Sequence, residues 1–210
     1  MKRGFEIKQF KEISKQILNA INLKDNFEEI KTIAGFDVSF KNNKAICVGV
    51  MLEYPSMKEI ETKETVSTEE ISYSPGFTVF REGPIIIETY RSFEKKPDLL
   101  VVKGNGSIHP TKFGTASYVG VLINKPCVGV VKELIFGKLV DENILFKGVV
   151  KGKALKYKEF ANPVYLSPGH NISLDSAYEI MKKCGDEKYK LPYPLYLAHK
   201  YLSKLKNKKE

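Results

Sequence analysis

The sequence predicts a single compact α/β domain with an antiparallel meander and a pair of buried parallel strands, and three observations carry that expectation. Residues 31–66 hold three successive runs with strand-like composition and alternation, the pattern of an antiparallel meander. Two later runs, 98–102 and 127–131, are apolar at nearly every position, as strands covered on both sides are. A helical stretch lies between those two, which is what a parallel pairing needs as its crossover. The 210 residues, 42% of them hydrophobic, are enough to bury one core, and the length suits one domain over 1–203 with a polybasic tail over 204–210.

Taken in order, residues 7–23 place Phe10, Ile13, Ile17, Leu18 and Ile21 at helical spacing, so the chain opens on an amphipathic helix. Strands follow over 31–40, 44–54 and 58–66, the first two joined by the polar turn Lys41-Asn42-Asn43. Ser72-Tyr73-Ser74-Pro75-Gly76 breaks the pattern. A helical segment over 77–93 comes next, interrupted at Gly83-Pro84, where proline lacks the N–H a helix uses. Beyond the strand at 98–102 lie a glycine-rich loop, a helix over 111–123 and the strand at 127–131. Further strands are expected over 144–151 and 163–166, and helices over 173–183 and 192–206, the first capped by Ser173.

Composition narrows the function classes. No apolar run approaches the roughly 20 residues that cross a bilayer, and the opening residues alternate charged with apolar side chains instead of forming a signal-peptide core. A cytoplasmic protein without a membrane partner is expected. Cys47, Cys127 and Cys184 are far apart, and the first two lie inside apolar runs, so neither disulfides nor a zinc site is expected. The net charge of +9 and pI near 9.2 favour a polyanionic partner such as nucleic acid, although a generic lysine-rich surface would give the same figure. Arginine occurs only at Arg3, Arg81 and Arg91, and lysine excess speaks for phosphate contacts more than for bidentate reading of bases.

Asp37 sits in the run IAGFDVSF, where an unpaired charge is costly, so the carboxylate needs a partner. A strand-edge Asp capping a turn would also account for it. Arg81 and Glu82, in FREGP, could by themselves be surface charges on a helix.

Six ordered blocks remove that ambiguity: AGFDVSF (34–40), SYSPGFTVFREGP (72–84), PDLLVVKGNGSIHPTKFGTASYVGVL (97–122), KPCVGVVKEL (125–134), SPGHNIS (167–173) and LPYPLYLAHKYL (191–202). Together they resemble the endonuclease V family. The resemblance implies a ribonuclease H-like fold, a mixed sheet of about five strands with helices on both faces. It also implies magnesium-dependent hydrolysis of a phosphodiester bond one nucleotide 3′ of a deaminated base, a DNA repair activity. The base is usually inosine, in DNA for most members and in RNA for some. On this resemblance Asp37 and Glu82 correspond to metal-binding carboxylates, Lys132 to a phosphate-facing lysine, and His199 to a histidine at the scissile site. These four are the expected catalytic residues. Tyr73, with Pro75 and Gly76, corresponds to a wedge that fills the gap left by a flipped base. Arg81, Gly104, Gly106, His109 and His170 are the remaining expected nucleic-acid contacts. For the histidines, hydrogen-bonded structural roles are the alternative; for Gly104 to Gly106, an anion cradle competes with a plain strand-to-helix turn. A monomer acting on inosine-containing DNA, or RNA, is the expected assembly.

The chain also departs from the family pattern. Where the family has Asp-Gly-His-Gly, with the Asp a metal ligand, this sequence has Lys103-Gly104-Asn105-Gly106. An ammonium cannot coordinate a cation, and about 4 Å from Mg²⁺ it repels the ion by a few kcal/mol. A weakened magnesium site is expected. The wedge, Pro-Tyr-Ile-Pro in the family, is Ser72-Tyr73-Ser74-Pro75 here. Three outcomes are open: another carboxylate such as Glu133 or Asp98 completes the metal site; Lys103 pairs with Asp37 and Glu82 and leaves a protein that binds without cutting; or the fold serves an unrelated interaction.

Overall fold

The computed structural model describes residues 2–68 and 78–207, with side chains from 10 onward except Asn207. The expected wedge residues Tyr73, Pro75 and Gly76 lie outside the described residues. Helix α1 (Lys2–Ala20) leads into the meander β1 (Thr32–Lys41), β2 (Lys44–Glu53) and β3 (Glu59–Thr68). Helix α2 (Thr78–Ser92), β4 (Leu99–Lys103), α3 (Thr115–Ile123) and β5 (Cys127–Val131) follow. Then come β6 (Lys138–Val140), β7 (Asn143–Phe146), β8 (Val149–Leu155), β9 (Val164–His170), α4 (Leu174–Lys183) and α5 (Tyr193–Asn207).

The strands form one mixed sheet in the order β3-β2-β1-β4-β5-β9-β8-β7-β6, of which β1, β4 and β5 are parallel neighbours. The period of two divides each central strand between the two faces. Ala34, Phe36, Leu100 and Val102 pack with Val79, Phe80, Ile86 and Ala116 of α2 and α3. Ile33, Leu99, Val101, Val128 and Val130 meet Ala177, Met181 and Leu195 of α4 and α5 on the other side. This is the mixed α/β architecture of ribonuclease H-like proteins, with helices on both faces.

Nine strands stand where about five were expected. Three of the additional strands form the ribbon β6-β7-β8 at the sheet's edge, where only Ile144, Gly152 and Leu155 are buried. The single strand expected over 144–151 is in fact a hairpin. Lys147 and Gly148 both take positive φ, 53° and 78°, the conformation that reverses a two-residue turn. Gly83-Pro84 does not interrupt α2, because Val79, Phe80, Ile85, Ile86 and Tyr90 hold both halves against the core while Pro84 faces solvent. Helix α3 begins at Thr115 and not at 111, since Lys112 lies in the left-handed region at φ 73°. Ser173 caps α4 as expected, its hydroxyl accepting from Ser176 N at 3.2 Å. Cys47, Cys127 and Cys184 are buried free thiols. Among the described residues no helix is long and apolar enough to cross a membrane.

Candidate active site

The parallel register of β1 and β4 sets the site. Phe36 pairs with Val102, so the next residues, Asp37 and Lys103, stand side by side on neighbouring strands and on one face of the sheet. Asp37 is 1% exposed, and the Lys103 ammonium donates to both of its oxygens, at 2.8 and 2.9 Å. A third partner arrives from α5, where His199 Nδ1 lies 2.7 Å from Asp37 Oδ2. With a carboxylate as acceptor, Nδ1 carries the proton, which leaves Nε2 as the nitrogen available for an acid–base or phosphate contact.

Glycine makes that third contact possible. A Cβ on Gly35 would stand 2.4 Å from the backbone of Pro194, so only glycine lets the start of α5 lie directly on β1. One further turn of α5 beyond Leu195 reaches His199, and two residues along the same strand face reaches Asp37. The two distances, roughly 6 Å each, match.

Glu82 enters from the opposite layer. A Cβ on Gly83 would meet the Tyr118 ring at 2.3 Å, so α2 and α3 touch there. One turn earlier on α3, Thr115 Oγ1 donates to Glu82 Oε2 at 2.9 Å. Burial pushes the Glu82 carboxyl above its ordinary value; the Thr115 bond opposes that, the Asp37 charge adds to it, and Lys103 and Arg81 work against it. Arg81 stacks on Phe40, its guanidinium carbon 3.7 Å from the ring centroid. Lys132, in the loop after β5, is half-buried and its ammonium is held below its ordinary value, first by burial and then by repulsion from Lys103 and Lys190.

Other residues singled out by sequence lie elsewhere or serve the frame. Gly104 N donates to Val130 O and Gly106 N to Ser167 Oγ, so these two amides are committed to the protein, and the loop reads as a strand-to-helix turn instead of an anion cradle. His170 sits at the far end of the sheet, paired with Cys127, where its Nδ1 accepts from Asn22 N at 3.2 Å. His109 touches Thr111 and packs edge-on against Phe136, and burial holds its pKa below the usual imidazole value. Sequence reasoning missed Gly35, Thr115 and Lys190. Thr115 directly follows Gly114 at the start of a helix, which was the available signal for it.

The described residues do not fit a magnesium ion as they stand. Asp37 has both oxygens engaged, Lys103 carries a positive charge where the resemblance leads one to expect a third carboxylate, and no group of three His, Cys, Asp or Glu side chains gathers among the described residues. Neither proposed substitute helps. Asp98 lies at the opposite end of β4, accepting from Lys31 N, Thr32 N and the Thr32 hydroxyl at 2.9–3.0 Å, and Glu133 is exposed.

A ribonuclease H-like sheet whose central strands β1 and β4 bring Asp37 and Lys103 together beside His199 of α5 defines the class as a nuclease-type α/β protein. The endonuclease V family model matches residues 15–200. An endonuclease V from Dictyoglomus turgidum is 34% identical, covering 98% of this chain and 92% of its own. One from Thermofilum pendens is 37% identical, covering 83% and 77%. The structure of the Bacillus subtilis endonuclease V superposes with a TM-score of 0.87 at 27% identity, covering 95% and 91%. That of Ciona intestinalis endonuclease V (D234N), in complex with DNA containing an inosine followed by a ribo-adenosine, gives 0.84 at 25%, covering 97% and 98%. The chain belongs to the endonuclease V family of nucleases.

Proposed function

We propose that this chain binds inosine-containing nucleic acid as an endonuclease V-type enzyme in which the cutting step is held at a low rate by its own Lys103. Family membership and the inosine-containing DNA in the Ciona structure support the substrate class. The net charge of +9 supports phosphate contacts. The observation that carries the reading is the grip of Lys103 on both oxygens of Asp37, at 2.8 and 2.9 Å. Lys132 and the free nitrogen of His199 serve to hold the phosphate, and Glu82 stays tied to Thr115. The same ion pair favours a second reading, recognition without any cutting, as in a pure binding protein.

Nicking of an inosine oligonucleotide at several magnesium concentrations tests both. The unaltered chain is expected to nick slowly, and Lys103→Asp to raise magnesium-dependent cleavage one nucleotide 3′ of the lesion by about 100-fold or more. Replacing repulsion by attraction near the ion is worth several kcal/mol at an effective dielectric near 20. A mobility shift without nicking in either protein marks the binding protein. Fast nicking by the unaltered chain, lost in Asp37→Ala, sinks the assignment to Lys103.

A further inference from the structure

Three tyrosines stack at the start of α5, outside the Asp37 cluster. Tyr189, in the loop before the helix, lies face to face with Tyr196, the ring centroids 3.6 Å apart and the planes inclined by 15°. Tyr193 is 6.0 Å from each, at 29° and 22°, so all three rings are nearly parallel. Tyr193 and Tyr196 are anchored on the layer containing Val48, Val50 and Leu197. Tyr189 instead follows the exposed residues Glu187 and Lys188 and is itself only half-buried.

The surroundings are basic. Lys200 places its ammonium 6.0 Å from the Tyr196 ring, and Lys190, next to Tyr189 in the chain, is near enough to Lys132 for its charge to depress that ammonium. Tyr196 precedes His199 by three residues on α5, which makes the two side chains neighbours on the helix surface. The tyrosine stack therefore begins about one helical turn from the Asp37 cluster.

Parallel aromatic rings interleaved with lysines match an unpaired nucleic-acid strand, whose bases have flat faces on both sides and whose phosphates are anionic. We infer that the Tyr189–Tyr196 stack is a base-stacking platform for the single strand that continues away from the phosphate held by Lys132 and His199. A base laid on Tyr189 extends a stack already built and held at its inner end, so little ordering is needed on the protein side. Such stacking tolerates any base, so the platform adds affinity without adding sequence preference.

The inference rests on the reading of the chain as nucleic-acid-binding, and the test separates the two. Single-stranded oligonucleotides with one inosine and 2-aminopurine at successive flanking positions are titrated with the full chain at low salt. The unaltered protein and Tyr189→Phe are expected to change the 2-aminopurine fluorescence at one flank. Tyr189→Ala is expected to lose that signal and about tenfold in affinity, equally for strands with and without inosine. Photocrosslinking of the unaltered chain to a 5-iodouracil strand gives an independent measure, with adducts expected on the peptide carrying Tyr189. If Tyr189→Ala matches the unaltered chain while Lys132→Ala weakens binding, or if adducts form only elsewhere, the platform is refuted and the proposed function stands. If the unaltered chain binds no oligonucleotide, both fall together.

Discussion

At position 103 an ammonium takes up both oxygens of a carboxylate that is 1% exposed, while its own side chain keeps 32% of its surface in water. Lys103→Met removes both bonds and leaves Asp37 with His199 alone. A buried charged acceptor losing donors costs about 1–3 kcal/mol, which in a domain of this size lowers the melting temperature by roughly 2–10 °C. Lys103→Asp is expected to lower it as well without metal, since two carboxylates then face each other. Added magnesium should raise it again, by about 2.7 kcal/mol at a hundredfold excess over the dissociation constant. The unaltered chain should show no such response, and a magnesium-dependent rise in its melting temperature would falsify the occupancy of the site by Lys103. Glu82 has the opposite character. Its carboxyl is raised in the fold, so its share of stability is complete below the ordinary value of 4.5 and is lost as pH rises through the raised value. Glu82→Gln, neutral at every pH and able to accept from Thr115, should therefore melt higher than the unaltered chain at pH 7. The gap should close as pH falls toward 4.5; equal melting at both pH values would mean burial of Glu82 is fully offset by its partners.

Among the elements, α5 and α2 are docked by single glycines, and the two contacts differ in how they can yield. A methyl at Gly35 meets main-chain atoms of Pro194 and Leu195, which cannot swing aside. Gly35→Ala should cost at least about 1–3 kcal/mol and lift α5 away from β1. The His199 imidazole then loses its 2.7 Å contact with Asp37, which a change in the chemical shifts of its ring nitrogens would report; unchanged shifts would show that α5 is positioned by other contacts. At Gly83 the obstacle is the Tyr118 ring, an aromatic side chain wedged between α2 and α3. The 3.6-residue pattern of α2 is readable from sequence, whereas Gly83-Pro84 predicts an interruption that the structure does not have. Packing on both sides of Pro84 outweighs one missing backbone hydrogen bond. Lys147-Gly148 went unread as a turn for a different reason: its flanks Phe146 and Val149 are apolar, so the run looks continuous until the positive φ angles are seen.

For the whole molecule, the net charge of +9 makes salt the decisive variable in any nucleic-acid complex. If about four lysines neutralise phosphates, affinity falls roughly 100-fold between 50 and 200 mM salt on duplex DNA. The slope of log affinity against log salt, measured by fluorescence anisotropy, counts those contacts. A flat line would remove nucleic acid from consideration. Replacing Lys132 by Ala should reduce the slope by about one, because a single phosphate contact is deleted.

Composition and pattern alone determined the α/β class, the meander and the two buried parallel strands, and six ordered blocks carried the resemblance to the family. Each of these depends on local periodicity or on ordered blocks of residues. The absence of an Asp at 103 was equally plain in the sequence. What only the tertiary structure decided is what the replacement does. Whether Lys103 meets Asp37 depends on an interstrand register across 66 residues, which no local pattern encodes. The same holds for His199, which reaches Asp37 across 162 residues because Gly35 admits α5, and for Asp98, which hydrogen bonds to Thr32 hold at the wrong end of the sheet to replace the missing ligand.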